Sequence, residues 1–557
     1  MPRRPRPIRP LPVFGPPVAP SGRAAVTEAA LEQEVVRQLG AVPLLLPIVE
    51  QLGLRKVVNQ RVHPEAQQAG DLDLGVVTEV LVFNRLLAPR PLVHVETWMG
   101  ETVLPELLGV EAEQCNDDRL ARALDGLSPH LDELWQDLVV AAVQKYRPDL
   151  SRLGYDITSI SFCGSYEEAD LVTYGYSRDH RPDRKQLEVA TNSTLSGGIL
   201  IDYRILAGNV ADRTTPVENL QRLQRLRAAL PSLDSARPWL VVSDRAMLTV
   251  EAIAAYRESD LHCLGPLDPS VGNGAVRRLL EEVSADELAM SPLGYRPQRA
   301  IDDPDWVPYQ GVLRKLELPH PEANKPPLQI QALVVWSPGH ARLDAQRRAT
   351  LLSRLESKLQ DLAGKLGRRP YLTSAAVEKR VATLLAHHPA RRFLTVSVGI
   401  TEHGPTLSWQ RQEAELAAAA ALDGRYVMGT TALDLDATTM LTDAKGRDVP
   451  EKGYARLKGP LAIRPVYLHK QDRILALIFC TMVALLVFSL LELLVRRAAL
   501  AVSAPALLAQ FAPLAVLTLV FNDGSCLRRL TGLAPPIRAV LARLEWADLQ
   551  PYTALPA

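Results

Sequence analysis

The stretch Ile474–Val495 constrains this chain more than any other. It is almost continuously apolar and is flanked by Arg473 on one side and Arg496 and Arg497 on the other. Roughly 20 apolar residues suffice for a helix to cross a bilayer. A helix apolar all round is equally suited to be the buried axis of a large protein. Thr481, Ser489 and Glu492 lie within the run. Either a membrane covers it or the rest of the chain does. With 557 residues, the chain is long enough for several domains and large cores. Its apolar fraction of 47% is that of ordinary globular proteins.

Lys and Arg together number 63, and so do Asp and Glu, so the formal net charge is zero. That argues against a histone-like binder, but leaves room for an enzyme that meets nucleic acid through local basic surfaces. The five cysteines, Cys115, Cys163, Cys263, Cys480 and Cys526, form no CxxC pair. This excludes a disulfide scaffold or zinc ribbon and fits a reducing cytoplasm. Pro43 and Pro47 interrupt the first long apolar stretch, and the extreme N-terminus lacks the apolar core of a secretory signal.

Met1–Arg23 carries five arginines, many prolines and no acid, so residues 1–26 read as an unfolded basic arm. Residues 27–150 have helical spacing throughout. Asp71 or Asp73 is positioned to cap a helix bearing Val76, Val80 and Leu87, and Asp117 to cap one bearing Leu120, Leu124 and Leu127. A helical N-terminal domain that binds DNA ends is the expectation. Strand-like runs follow at Tyr155–Phe162, Gln186–Thr191 and Gly198–Leu206, an antiparallel meander with a turn at Ser196 and Gly197. A helix over Val217–Ala229, a strand over Trp239–Ser243 and a helix over Thr249–Glu258 complete an α/β order. It sets Asp244 in the crevice beyond the strand ends. Residues 151–265 are thus the first part of a catalytic core. Residues 266–393 are read as an inserted subdomain, with strands at Gly311–Leu318 and Leu328–Trp336 and a basic helix near Asp344–Leu366. Residues 394–500, with a strand at Arg425–Thr430, return to the core, and 501–557 form a C-terminal region.

Three carboxylates on separate elements stand out: Asp156 in the first strand, Asp244 at the end of a later one and Glu451 in an amphipathic segment ending at Lys458. Convergence of such acids suits a site for divalent metal. Arg447, Glu451 and Lys458 stand at offsets of four and seven, within roughly 40° on a helix. On spacing alone the same pattern describes a solvated helix with an ordinary ion pair.

Arg447-x3-Glu451-x6-Lys458, followed by Leu461–Ile474, resembles the C-terminal signature of insertion-sequence DDE transposases, in particular the IS-four superfamily and its IS-sixteen-thirty-four branch. Tyr155–Ser159, Gly175–Asp183, Leu206–Asp212 and Val242–Arg245 resemble further blocks of that group in the same order, as does Asn116–Leu127. The resemblance runs from about Thr27 to the C-terminal region. It implies an α/β fold with a ribonuclease-H-like catalytic core, a mixed sheet flanked by helices. In that core Asp156, Asp244 and Glu451 would bind two Mg²⁺ or Mn²⁺ ions, as suits in-line displacement at phosphorus.

The resemblance implies a cytoplasmic DNA transposase that cuts double-stranded DNA at its element's terminal inverted repeats. It would join those ends to target DNA and work as a homodimer in a synaptic complex. Arg447, Lys458, Arg245, Arg178 and Arg181 would contact DNA. Trp306 and Trp336 are read as core residues rather than as platforms for a displaced base. It also implies that Ile474–Val495 is buried against the catalytic sheet, without a membrane. Three positions depart from the family pattern. Ala444 replaces a signature tyrosine, Ala246 replaces a glycine, and Pro450 directly precedes Glu451, where proline is accepted only in a helix's first turn. These departures suit the alternative of a catalytically inactive DNA-binding descendant. A membrane-anchored protein using Ile474–Val495 is the remaining alternative.

Overall fold

The computed structural model describes residues 31–62, 72–178, 181–230, 238–285, 290–297, 300–446, 448–464, 466–522 and 525–554. The basic arm and Asp71 lie outside these residues. Among them, fourteen strands occur in chain order: β1 (Leu31–Gln38), β2 (Arg152–Ser161), β3 (Gln186–Thr194), β4 (Leu200–Ala207), β5 (Leu240–Val242), β6 (His262–Pro266), β7 (Ser291–Pro292), β8 (Gln310–Leu318), β9 (Leu328–Trp336), β10 (Leu394–Thr401), β11 (Gly404–Arg411), β12 (Arg425–Thr430), β13 (Ala515–Phe521) and β14 (Cys526–Thr531).

Nine of these strands make a central sheet in the order β4-β3-β2-β5-β6-β12-β9-β8-β7. β2, β3 and β4 form an antiparallel meander, whereas β5 lies parallel to β2 and β6 parallel to β5. The crossover from β4 to β5 is the helix Pro216–Ala228, and that from β5 to β6 is the helix Val250–Arg257. Consecutive strands that run parallel require such crossovers, because no tight turn can join them. The opposite face carries the helices Ala437–Lys445 and Asp448–Lys458. Met440 and Leu441 of the former pack on Leu240, Val242, Leu264 and Met428 of the sheet.

The apolar run is the axis of the helix Gln471–Arg497. It is long and apolar enough to cross a bilayer, yet 89% of its most apolar window is buried inside the protein. Its principal neighbours are the N-terminal helices Val42–Leu52, Leu74–Leu87, Asp117–Leu127 and Leu131–Tyr146, with β4 as its main contact on the central sheet. The expected packing against the catalytic sheet is therefore a minor part of its burial, and the membrane alternative loses its motive. Thr481 and Ser489 donate to the carbonyls of Leu477 and Leu486 on their own helix, so neither hydroxyl is stranded in the core. Glu492 pairs with Arg456 at 2.6 Å, and the Arg456 guanidinium lies 5.0 Å from the centre of the Phe488 ring. This joins the Glu451-bearing helix to the core axis.

Three expectations need correction. Leu31–Gln38 is a strand, because it pairs antiparallel with β13 near the other end of the chain; no local pattern announces a partner so distant. The helix Asp117–Leu127 is capped by Asn116, whose side chain accepts from the Arg119 amide, rather than by Asp117. Asp73, as expected, caps Leu74–Leu87. Residues 266–393 do not form one insertion. β8 and β9 extend the central sheet, whereas 338–421 build a separate unit in which the helix Pro338–Ala363 packs with the β10–β11 hairpin around Leu355, Leu359 and Phe393.

Candidate active site

Asp156 lies midway along β2 and Asp244 follows the last residue pair of β5. The parallel register matches Arg152 with Leu240, Leu153 with Val241 and Gly154 with Val242. Two residues further along both chains are Asp156 and Asp244. Strand β5 ends just before this level, so its carboxylate emerges at the strand's C-terminal end, where β2 continues with β3 alone as its partner. Asp244 is exposed, and its Oδ1 accepts from the Arg245 amide at 2.7 Å, capping a short helical turn. Asp156 is half-buried.

The third predicted acid, Glu451, lies in the first turns of the helix Asp448–Lys458. Its side chain and the whole of Arg447 lie outside the described residues. What holds this helix is visible three residues on. The buried Tyr454 hydroxyl donates to the Asp156 carbonyl at 2.6 Å and lies 2.7 Å from Thr191 Oγ1. Asp156 and Thr191 are directly paired across β2 and β3, and direct cross-strand partners point to the same face. The Asp156 side chain is thus on the face that the Glu451 helix covers. Pro450 is accommodated in that helix's first turn, where its missing N–H costs no intrahelical bond. Arg152 Nε bonds Asp443 at 2.6 Å and fixes the preceding helix to the same strand.

A cleft of about 1000 Å³ opens beside Asp244, walled by Arg245, Arg178, Glu188, Asp212 and Asp268 among others. Asp156 is not on that wall. Arg178 bridges Asp212 and Glu188. Burial acts to lower its pKa, but Asp212, with the charges of Glu188 and Asp156, outweighs this and raises it. Burial raises Glu188 to about 7, against the pull of Arg178, and its Oε2 is buried without a hydrogen bond. Of the predicted DNA contacts, Arg178 is thus engaged within the protein. Arg181 is exposed and paired with Asp183 at 2.6 Å. Arg245 is exposed on the cleft wall, and Lys458 is half-buried at the end of its helix.

A second recess, of about 560 Å³, shares Arg245 with the first and adds Lys445, Tyr426, His340 and Arg347. The Lys445 ammonium lies 5.1 Å from the centre of the Tyr309 ring, a cation–π arrangement. Trp306 and Trp336 are half-buried rather than core residues; Trp306 packs against Tyr309. Among the described residues, Glu258, His320 and Glu322 also bring their ligand atoms within 4.8 Å of one another. There, however, Lys325 Nζ already lies 2.6 Å from Glu258 and 2.9 Å from Glu322, so an ammonium supplies the positive charge.

Sequence reasoning missed Tyr454, Glu188 and the Lys445 recess. Tyr454 had a legible signal, an aromatic residue three positions after Glu451 on the same helix. Glu188 had none, since its burial depends on neighbours from other elements.

Residues 34–140 match a family model described as Domain of unknown function (DUF4277). No functionally curated protein matches the chain. Among solved structures the chain is similar to the piggyBac transposase in a synaptic complex with hairpin DNA, determined by cryo-EM. The identity is 8%, covering 86% of this chain and 82% of that one, with a TM-score of 0.41.

Proposed function

We propose that this protein is a DDE-type DNA transposase of the insertion-sequence kind, nearest to the IS-four superfamily and its IS-sixteen-thirty-four branch. It cuts DNA at its element's ends and joins them to target DNA by phosphoryl transfer. The observation that carries this reading is the parallel register of β2 and β5, from which Asp156 and Asp244 each stand two residues beyond the Gly154–Val242 pair. The strand order β4-β3-β2-β5-β6, with β2, β5 and β6 parallel, is compatible with the ribonuclease-H-like core that the resemblance implies and supports the reading. So do the ordered sequence blocks that resemble this group.

The donor set fits a hard divalent cation, since Asp156, Asp244 and Glu451 offer only carboxylate oxygens. Bound there, two Mg²⁺ or Mn²⁺ ions would polarise the phosphoryl group and lower the pKa of the attacking hydroxyl. The chain itself supplies the positioning. The Arg245 amide orients Asp244, and Tyr454 ties the Glu451 helix to the backbone of Asp156. Arg245, Lys458 and Arg447 would hold backbone phosphates, which fix register without reading bases. Two element ends must be brought together for joining, hence a homodimer at least, acting in the cytoplasm.

The test is Mg²⁺-dependent cleavage of duplex DNA carrying the terminal repeats, with Asp156→Asn, Asp244→Asn and Glu451→Gln alongside. Each substitution should abolish cleavage and spare end binding. Binding without cleavage in the unmutated protein would favour the inactive descendant, for which Ala444 and Ala246 speak. Neither binding nor cleavage would sink the reading.

A further inference from the structure

The unit formed by 338–421 carries thirteen Lys and Arg residues against seven Asp and Glu, in a chain whose net charge is zero. Its first helix, Pro338–Ala363, concentrates part of that excess. Arg347, Arg354 and Lys358, with Lys365 just beyond the helix end, stand at steps of seven, four and seven residues. At 100° per residue they fall within roughly 40° of one another, on a ridge about 27 Å long. All four are exposed, and among the described residues none of them makes an ion pair. Asp361, the acid beside them, makes none either. The other basic residues nearby are used differently: Arg348 pairs with Asp423, and Arg411 with Glu356.

The ridge is also fixed in direction. Leu352, Leu355, Leu359 and Leu362 bury the face about a quarter-turn away. Asp344 accepts from the Gly424 amide at 3.0 Å, and Arg348 grips Asp423 with both terminal nitrogens. These bonds tie the helix to the turn that enters β12, a strand of the central sheet. The near end of the ridge, Arg347, lines the same recess as Arg245 and Lys445, and Arg245 adjoins Asp244. A line of unpaired cations therefore leads outward from the candidate active site.

We propose that this ridge is a track for the phosphate backbone of duplex DNA running away from the catalytic cleft. The inference rests on the transposase reading and adds to it the surface that carries the flanking duplex. About 27 Å of duplex carries roughly 16 phosphates, counting both strands, enough for every cation on the ridge to find one.

The experiment uses the full-length protein and the triple variant Arg354→Gln, Lys358→Gln, Lys365→Gln, which spares Arg347 in the recess. Binding to a terminal-repeat duplex and to an unrelated duplex is measured across a salt series. The dependence of log K on log salt should become shallower by about 2.7, three contacts at about 0.9 each, and equally for both sequences. In the unmutated protein, bound duplex should protect Lys358 and Lys365 from acetylation, a readout independent of any variant's folding. An unchanged slope, or full acetylation in the complex, overturns the track while leaving the transposase reading intact. A slope change confined to the terminal-repeat duplex overturns it as well. No duplex binding by the unmutated protein would remove the transposase reading, and the track with it.

Discussion

Tyr454→Phe removes one oxygen atom and isolates what holds the third acid. A carbonyl cannot donate, so the Tyr454 hydroxyl donates to the Asp156 carbonyl and must accept from Thr191 Oγ1. Burial, followed by the nearby Asp156 charge, raises the Tyr454 pKa well above its usual value, so the donor persists at any assay pH. Phenylalanine preserves the packing but leaves a buried hydroxyl without its acceptor and a carbonyl short of a donor. Each loss of this kind costs about 1–3 kcal/mol. Taking the lower end for both, about 2 kcal/mol in all, local opening of the helix Asp448–Lys458 becomes at least about 30-fold more frequent. Hydrogen–deuterium exchange reads this directly. Amides of that helix should exchange at least about 30-fold faster, while those of Gln471–Arg497 stay unchanged. On the proposed function, cleavage should fall further than DNA affinity, because the lost bond holds the Glu451 helix rather than touching DNA. Unaltered exchange in Asp448–Lys458, or uniform loosening of the whole chain, would refute the clasp.

Glu492→Gln leaves the half-buried Arg456 guanidinium without its carboxylate. The loss should approach the about 3 kcal/mol typical when one partner of a buried pair is removed, visible as an earlier denaturation midpoint. Glu188 holds its proton more tightly folded, with a pKa of about 7, than at its ordinary 4.5. Its contribution to stability is therefore complete below about pH 4.5 and is lost as pH rises toward 7. Melting temperatures of the unmutated protein and Glu188→Gln, compared between pH 5 and 8, should diverge across that window; parallel curves would contradict the assignment.

Much of the core was legible because its patterns are local. The alternation in Tyr155–Phe162 and the leucine spacing after Val217 announce elements without reference to anything distant. β6 escaped notice: His262–Pro266 contains a glycine and a proline, and it is a strand because β5 and β12 flank it on either side. That Asp156 and Asp244 each stand two residues beyond one paired position of β2 and β5 was not legible at all. Alternation tells which face a residue takes, but not which residue of another strand lies beside it, and only the pairing of Gly154 with Val242 supplies that. The apolar run illustrates the same limit. Its composition demanded cover, but the cover comes from helices several hundred residues earlier in the chain, whose own faces gave no hint of this partner.

The antiparallel pairing of β1 with β13 dictates an order of events during synthesis. Leu31 leaves the ribosome long before Ala515, and at about 5–20 residues per second the interval is roughly 25–100 s. For most of it, the N-terminal helices lack both their edge strand's partner and their central axis, which is not complete until Arg497. The first unit translated is thus the last to finish folding. A message cut short before Gln471 would yield helices whose apolar faces have nothing to close on, a substrate for chaperones and proteases rather than a surviving fragment.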